Sequence, residues 1–418
     1  MSQARALRIA IVAGTRTPFA RAGTVFRHRS ALDLAVHSVN GVFERFQIAP
    51  ESVEALYFGI VVLNPRIPQF AREVCFGSRL PSTVRALTLV DNCITGLSAI
   101  HMLAGSLRAG RASLGIAGGA ESMSNPAVLF NPRASRLFVG MAAAGSLRER
   151  LGIALRLRPR DLLPDAPAIA EPSTGLSMGQ HCELMVKEWR ISRGVQDEIA
   201  LRSQQRAWAA TEDGRLGHEI HALDGIERDP LIRPETTLER LAALPPVFDR
   251  SGAGTITAGS SSPLTDGAAA VVLATEGEAV RRGFEPLAFI RDMEFAAIDP
   301  KDGLLMAPGV AVPRLLARNG LSLDDMDLVE MHEAFGGQVA CNLEAWAQGW
   351  KEAAIGKVDP ARLNALGGSI AVGHPFAATG VRIVVTLANQ MKRQNARYGL
   401  ISICGAGATA GAVILERS

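Results

Sequence analysis

Asp91-Asn92-Cys93-Ile94-Thr95-Gly96-Leu97-Ser98-Ala99-Ile100 joins the strand-like run Ala86 to Val90 to the helix-like run Leu97 to Leu107. A cysteine at that junction stands at a helix N-terminus, where the backbone dipole favours an anion. The same alternation extends outward. Leu7 to Gly14, Ala55 to Val62 and Leu114 to Gly118 read as strands, Leu32 to Phe46 and Phe70 to Phe76 as helices. Strands alternating with helices predict an α/β sheet covered by helices.

The later chain repeats the pattern. His374 precedes the helix-like stretch Gly380 to Met391, and Gly399 to Cys404 is the next strand. Cys93 and His374 thus take equivalent places in two α/β halves, which predicts a duplicated fold with both groups at helix N-termini facing one cleft. The halves are expected over residues 1–121 with 250–283, and 284–418. Between them, residues 122–249 break the rhythm. Pro126, Pro132, Pro159, Pro164, Pro167 and Pro172 punctuate this insertion, and Val195 to Ala210 reads as an isolated helix.

The chain has 418 residues, more than one ordinary core holds. With 48% hydrophobic and 20% charged residues it reads as globular, and a net charge of +3 gives no sign of a nucleic-acid partner. Five cysteines without a C-x-x-C pair fit neither a zinc site nor a disulfide framework, and imply a reducing compartment. Met1 to Leu7 is too short and polar for a signal peptide, and no apolar run reaches the ~18 residues that span a bilayer. Cytoplasmic residence is the expectation.

Three late segments carry chemistry that matches Cys93. In Met331-His332-Glu333-Ala334-Phe335, a strand end places His332 at the mouth of the sheet, and Glu333 is read as the start of a helix, capping it or orienting a neighbour. His374, in Gly367-Gly368-Ser369-Ile370-Ala371-Val372-Gly373-His374-Pro375, can activate a thiol and donate to an oxyanion. Cys404, in Ile403-Cys404-Gly405-Ala406-Gly407-Ala408, can exchange a proton with a substrate carbon beside exposed backbone N–H groups. The thiolate is the reactive form, with an ordinary pKa near ~8.5, and the helix terminus and an imidazole are expected to favour it. Cys75, Cys182 and Cys341 are assigned to packing.

Taken together, these segments resemble the thiolase family over almost the whole chain. Ile11 to Phe19, Gly118 to Ser124 and Leu264 to Ala270 resemble further family segments. His332, where many thiolases carry asparagine, resembles the branch that forms the thiolase subunit of trifunctional fatty-acid-oxidation complexes. Gly175 to Gly179 and His374 to Gly380 point the same way. The resemblance implies a layered α-β-α-β-α fold and a 3-ketoacyl-CoA thiolase. Cys93 would attack the 3-keto carbon, activated by His374, and Cys404 would protonate the departing acetyl-CoA carbanion. CoA would then thiolyse the acyl-enzyme. One oxyanion hole would use His374 and His332, the other the backbone N–H groups of Cys93 and Ala406. Ser262 and Arg233 would touch CoA, which is a substrate, so no cofactor or metal is implied. Ala406 replaces a common glycine, Ser260 a common asparagine, and Ser177 stands where some short-chain enzymes have histidine. A homodimer or dimer of dimers, with a hydratase/dehydrogenase α subunit, is the implied assembly.

Other readings stay open at this level. A biosynthetic thiolase making acetoacetyl-CoA would use the same residues. A β-ketoacyl synthase would lack Cys404, and a non-catalytic scaffold would not need all four groups. Leu137 to Leu147, flanked by Arg133, Arg136, Arg148 and Arg150, is read as an interfacial helix giving peripheral membrane contact, or as a solvated insertion.

Overall fold

The computed structural model describes residues 7–165 and 170–417; the readings over Met1 to Ala6 and at Pro167 lie outside them. Along the chain, β1 (Ile9–Arg16), β2 (Ala20–Arg21), α1 (Ala31–Arg45), β3 (Ala55–Gly59), α2 (Phe70–Gly77), β4 (Arg85–Leu89), α3 (Thr95–Arg108) and β5 (Leu114–Glu121) form the first run. Then come β6 (Leu129–Phe130), α4 (Pro132–Ala143), α5 (Leu147–Ala154), β7 (Pro164–Asp165), α6 (Met178–Glu188), α7 (Arg193–Glu212) and α8 (Leu238–Ala242). The remainder is β8 (Thr265–Thr275), α9 (Glu276–Arg281), β9 (Ala288–Ala297), α10 (Pro308–Asn319), β10 (Leu328–Met331), α11 (Gly336–Gln348), α12 (Ser369–Val372), α13 (Phe376–Gln394), β11 (Tyr398–Gly405) and β12 (Thr409–Glu416).

The main sheet runs β10-β11-β12-β9-β1-β8-β5-β3-β4. Its two halves repeat one pattern. In the first, β4 and β3 are parallel, as are β3 and β5, and β8 and β1 follow antiparallel. In the second, β10 and β11 are parallel, β12 and β9 follow antiparallel, and a parallel bridge from Val329 to Leu363 stands where β4 stands in the first. Antiparallel pairing of β1 with β9 joins the halves. Cys93 lies between β4 and α3, and His374 between the Leu363 bridge and α13, so the duplication read from the sequence is present in the topology.

Period-2 alternation builds the layers. On β12, Val413 and Leu415 pack with α3 and α13, while Ala412 and Ile414 pack with Val312, Leu315 and Leu316 of α10. On β11, Ile401 and Ile403 face the first group and Leu400 the second. Helix α13 touches strands of both halves, and 14 of its 19 residues are buried, so it lies in a central helical layer beside α3. Glycine lets the pair meet backbone to backbone. A Cβ at Gly96 would lie 2.7 Å from the Ala377 carbonyl oxygen, and one at Gly380 2.8 Å from the Leu97 nitrogen. Helices α1 and α10 cover the outer faces, which gives the α-β-α-β-α order.

The chain divides into two compact units, the larger comprising residues 1–61, 69–125 and 170–418. Helix α7 is not isolated: it packs on α11 and α12 within that unit. The smaller unit, residues 62–68 and 126–169, contains the β6–β7 ribbon, α4 and α5. The single helix expected over Leu137 to Leu147 is two. Helix α4 stops at Ala143, Ala144 is extended, and the Ser146 hydroxyl accepts from the Glu149 N–H to start α5.

Candidate active site

The thiol corner is a tight strand-to-helix turn. Asn92 has φ +45°, a left-handed conformation that asparagine tolerates better than most residues. Residues Asn92–Ile94 form one 3-10 turn before α3. The Thr95 hydroxyl donates to the Asn92 carbonyl at 2.6 Å and accepts from the Asp91 N–H at 2.7 Å. The Asn92 side-chain amide donates to the Ala406 carbonyl at 3.0 Å, tying this corner to the turn after β11. In that turn the Gly407 N–H donates to Glu171 at 2.8 Å. The backbone N–H groups of Ala406 and of Cys93 itself favour the ionised form of the Cys93 sulfur. The structure therefore brings Cys93 and Ala406 together.

Burial pushes the Cys93 thiol up to about 11, although those two N–H groups pull it down. The helix terminus and an imidazole were expected to favour the thiolate; in this corner desolvation outweighs the two N–H groups that favour it. Cys404 lies close enough that a Cys93 thiolate would oppose its ionisation; burial and that charge both push the Cys404 thiol up and keep it protonated. Cys182 and Cys341 pack in the same apolar cluster as Cys404, with Ala334 and Phe335. Burial, then the neighbouring thiols, also hold Cys182 protonated.

The imidazole corner is built from side chains. His332 follows β10 and is fully buried; His374 is 5% exposed. Their ring centroids lie 4.1 Å apart. His332 Nδ1 sits 2.9 Å from Ser369 Oγ, and His374 Nδ1 2.6 Å from Thr379 Oγ1. Both Nε2 atoms are buried without a hydrogen-bond partner. Two adjacent orphaned ring nitrogens are costly in a folded protein, and they mark a place where a polar substrate atom can sit. Desolvation, then His374 and Arg382, lowers the His332 pKa well below the ordinary range; desolvation, then Arg382, takes His374 down to about 3. At neutral pH both rings are uncharged, so either can accept or donate one proton.

Glu333 does not start a helix, because α11 begins at Gly336. Its buried carboxyl accepts from Ser203 Oγ at 2.6 Å, Asn364 Nδ2 at 2.7 Å and the Ile370 N–H at 3.2 Å. It thus fastens α7 and the start of α12 behind His332. In front, the Ser262 N–H donates to the Ala334 carbonyl at 2.9 Å, and the His374 N–H to Thr265 Oγ1 at 3.0 Å. The Ser260–Thr265 segment therefore links both histidine loops and carries Ser262 beside the site. Ser260 itself is buried against Thr257. Arg233 is exposed, with its N–H bound to Gln204 Oε1 at 2.8 Å. Two residues before it, Leu231 abuts Gly373, so Arg233 flanks the His374 loop. Ser177 is the N-cap of α6. Among the described residues no group of three or more His, Cys, Asp or Glu side chains could hold a metal ion.

Sequence reading missed Ser369, Thr379, Arg382, Asn364 and Glu171. Ser369 and Thr379 lay inside quoted motifs as hydroxyls near histidines; the others are brought in from a distance and left no local signal.

A duplicated α/β sheet with a thiol at one helix N-terminus, a histidine at its counterpart and a second thiol near the first fits an acyl-transferring enzyme. The chain belongs to the thiolase family: the thiolase N-terminal domain matches residues 9–277 and the C-terminal domain residues 284–417. It is similar to a 3-ketoacyl-CoA thiolase of Colwellia psychrerythraea, 41% identical over 98% of this chain and 97% of the relative. Among solved structures it is similar to human mitochondrial 3-ketoacyl-CoA thiolase, with 29% identity and a TM-score of 0.85 over 99% of this chain and 100% of the other. The same human enzyme in complex with CoA gives 29% identity and a TM-score of 0.84, over 99% and 98%.

Proposed function

We propose that this protein cleaves 3-oxoacyl-CoA with CoA, giving acetyl-CoA and an acyl-CoA shortened by two carbons, as in fatty-acid β-oxidation. The pair of buried, unpartnered Nε2 atoms on His332 and His374 carries the reading. A ketone oxygen that becomes an oxyanion would give both nitrogens the partner they lack, and would bind them most tightly in the transition state.

In this reading Cys93 Sγ bonds to C3 of the substrate as its proton passes to His374. The C2–C3 bond breaks, and its electron pair takes a proton from Cys404. Acetyl-CoA leaves; the thiol of a new CoA gives its proton to the Cys404 thiolate and attacks the acyl-cysteine, and His374 returns its proton to Cys93 as that sulfur leaves. The N–H groups of Ala406 and Cys93 would hold the thioester oxygen, a role supported by the way they favour negative charge at Cys93. Ser262 and Arg233 would contact CoA from the two loops that flank His374. CoA acts as a substrate, and the chemistry needs neither metal nor bound organic cofactor.

We further propose a cytoplasmic homodimer or dimer of dimers with a hydratase/dehydrogenase α subunit, and residues 122–249 as an insertion carrying specificity. None of the described helices is long and apolar enough to cross a membrane. Peripheral contact is supported by α5 and its C-cap, where Leu147, Leu151 and Leu155 recur every fourth residue and are 78%, 63% and 86% exposed beside an arginine-rich stretch. Co-flotation with anionic liposomes would support that contact, and its absence would remove it.

The direct test is CoA-dependent cleavage of acetoacetyl-CoA and 3-oxohexadecanoyl-CoA. Preferential cleavage of the long substrate is expected. Turnover of the short substrate alone would favour the biosynthetic reaction, and turnover of neither would contradict the proposal.

A further inference from the structure

Helix α13 carries Arg382, Thr386 and Gln390 at a spacing of four, a polar stripe of the kind that normally faces water. Here all three are buried. Thr386 Oγ1 donates to Glu219 at 2.8 Å, and Gln390 Nε2 to Glu330 at 3.1 Å. Arg382 reaches the site: its Nη2 donates to Ser369 Oγ at 2.9 Å. The same hydroxyl lies 2.9 Å from His332 Nδ1.

We propose that Arg382, through Ser369, locks His332 in the tautomer that carries its proton on Nε2, making it a fixed donor to the substrate oxygen, whereas His374 stays free to exchange its proton. The inference rests on the thiolase reading for what that donor serves, but the tautomer itself follows from counting protons.

A guanidinium only donates hydrogen bonds, so one lone pair of Ser369 Oγ is taken by Arg382. The hydroxyl has a single proton, and its two neighbours within hydrogen-bonding distance among the described residues are Arg382 and His332. If His332 carried its proton on Nδ1, that N–H would also donate into Ser369. The serine proton would then be buried with no acceptor, and bare Nε2 could not donate to an oxyanion. If Nδ1 is bare, serine donates to it, all three groups are satisfied, and the proton sits on Nε2. An orphaned buried donor is what folded proteins avoid, so the second arrangement holds. Ser369 has little room to drift, because it follows Gly368, where a Cβ would lie 2.3 Å from the Glu333 carboxyl carbon.

His374 lacks such a lock. Its Nδ1 partner is the Thr379 hydroxyl, which can donate or accept and, among the described residues, takes no hydrogen bond from a cation. It can present bare Nε2 to take the Cys93 proton and then hold protons on both nitrogens by turning that hydroxyl. Arg382 also opposes charge on both rings, in keeping with two neutral imidazoles at rest. Ser369 and Arg382 are thus positioning residues, acting through His332.

The test is 15N NMR of the full chain labelled on histidine, with the His332 signals assigned by their loss in His332→Asn. Wild-type His332 is expected to show a protonated Nε2 and a bare Nδ1 from pH 6 to 9. In Ser369→Ala those signals should move towards a tautomer mixture, and kcat should fall about 10- to 100-fold with KM within about threefold, the pattern of a donor weakened in the transition state. A proton on Nδ1 in the wild type would overturn the proposal, as would Ser369→Ala with unchanged His332 signals and kcat. Should the alanine variant fail to fold, the wild-type spectrum decides. A wild type with the expected tautomer but no thiolytic activity would sink the thiolase reading and leave the proton assignment standing.

Discussion

Cys93 and His374 stand at corresponding corners of the two halves, each before a helix of the central layer, yet the corners are held in different ways. Around Cys93 the groups that favour charge on the sulfur are main-chain N–H groups, from Ala406 and from Cys93 itself. Around the histidines the supporting groups are side chains: Ser369, Thr379, Arg382 and, behind them, Glu333 with its three donors. Backbone donors survive most substitutions, so the thiol corner can tolerate an alanine at position 406. Side-chain donors do not survive theirs. The duplicated scaffold thus supplies two equivalent places, and in the proposed reaction the local bonding suits one to a nucleophile and the other to a base.

The largest effect expected is at the reacting groups. Cys93→Ala should lower CoA-dependent cleavage by more than about 10³-fold, and His374→Ala by about 10²- to 10⁴-fold, in steady-state assays with circular dichroism to confirm folding. Equal, mild losses would break the division of roles. Asn92→Ala comes next. It removes both the strut to the Ala406 carbonyl and a residue suited to φ +45°, and should cost about tenfold in kcat and about 1–2 kcal/mol of stability by urea unfolding.

Glu330 sharpens the contrast from the buried side. Burial raises its pKa from 4.5 to about 8, despite Arg382 and Gln390. A folded-state pKa above the unfolded one means that the fold binds the proton more tightly, so this group's contribution is full below pH 4.5 and is lost as pH rises towards 8. Glu330→Gln keeps the shape and removes the titration. Its melting temperature should decline less than that of the wild type between pH 5 and 8, measured by scanning calorimetry; parallel curves would contradict the shift. The smallest effect is expected for Ala406→Gly, with kcat/KM within about threefold, because the N–H donor is unchanged. A loss above tenfold would show that the methyl group, not the main chain, sets the thiol corner.

Much of this was legible in the sequence. The strands around Cys93 and around His374 are short apolar runs with helical patterns after them; Cys93, His374 and Cys404 each lie in a glycine-bearing motif at an element end, and His332 directly follows a strand. What stayed hidden depends on tertiary placement. Arg382 looks like part of a solvent face until α13 is found in the middle of the molecule. Glu333 follows a strand and precedes a helical pattern, so capping was the local reading; only the approach of α7 and α12 makes it a buried tie. The thiol's high pKa was missed because a helix terminus can be read from sequence, whereas desolvation cannot. Ala144 and Ser146 split the expected amphipathic helix because a serine N-cap starts α5.

The most direct measurement is the mass of the intact protein mixed with 3-oxohexanoyl-CoA in the absence of CoA, followed by peptide mapping. The account predicts a butyryl group on Cys93, released as butyryl-CoA when CoA is added. An adduct on Cys404, or none while cleavage still proceeds, would contradict it.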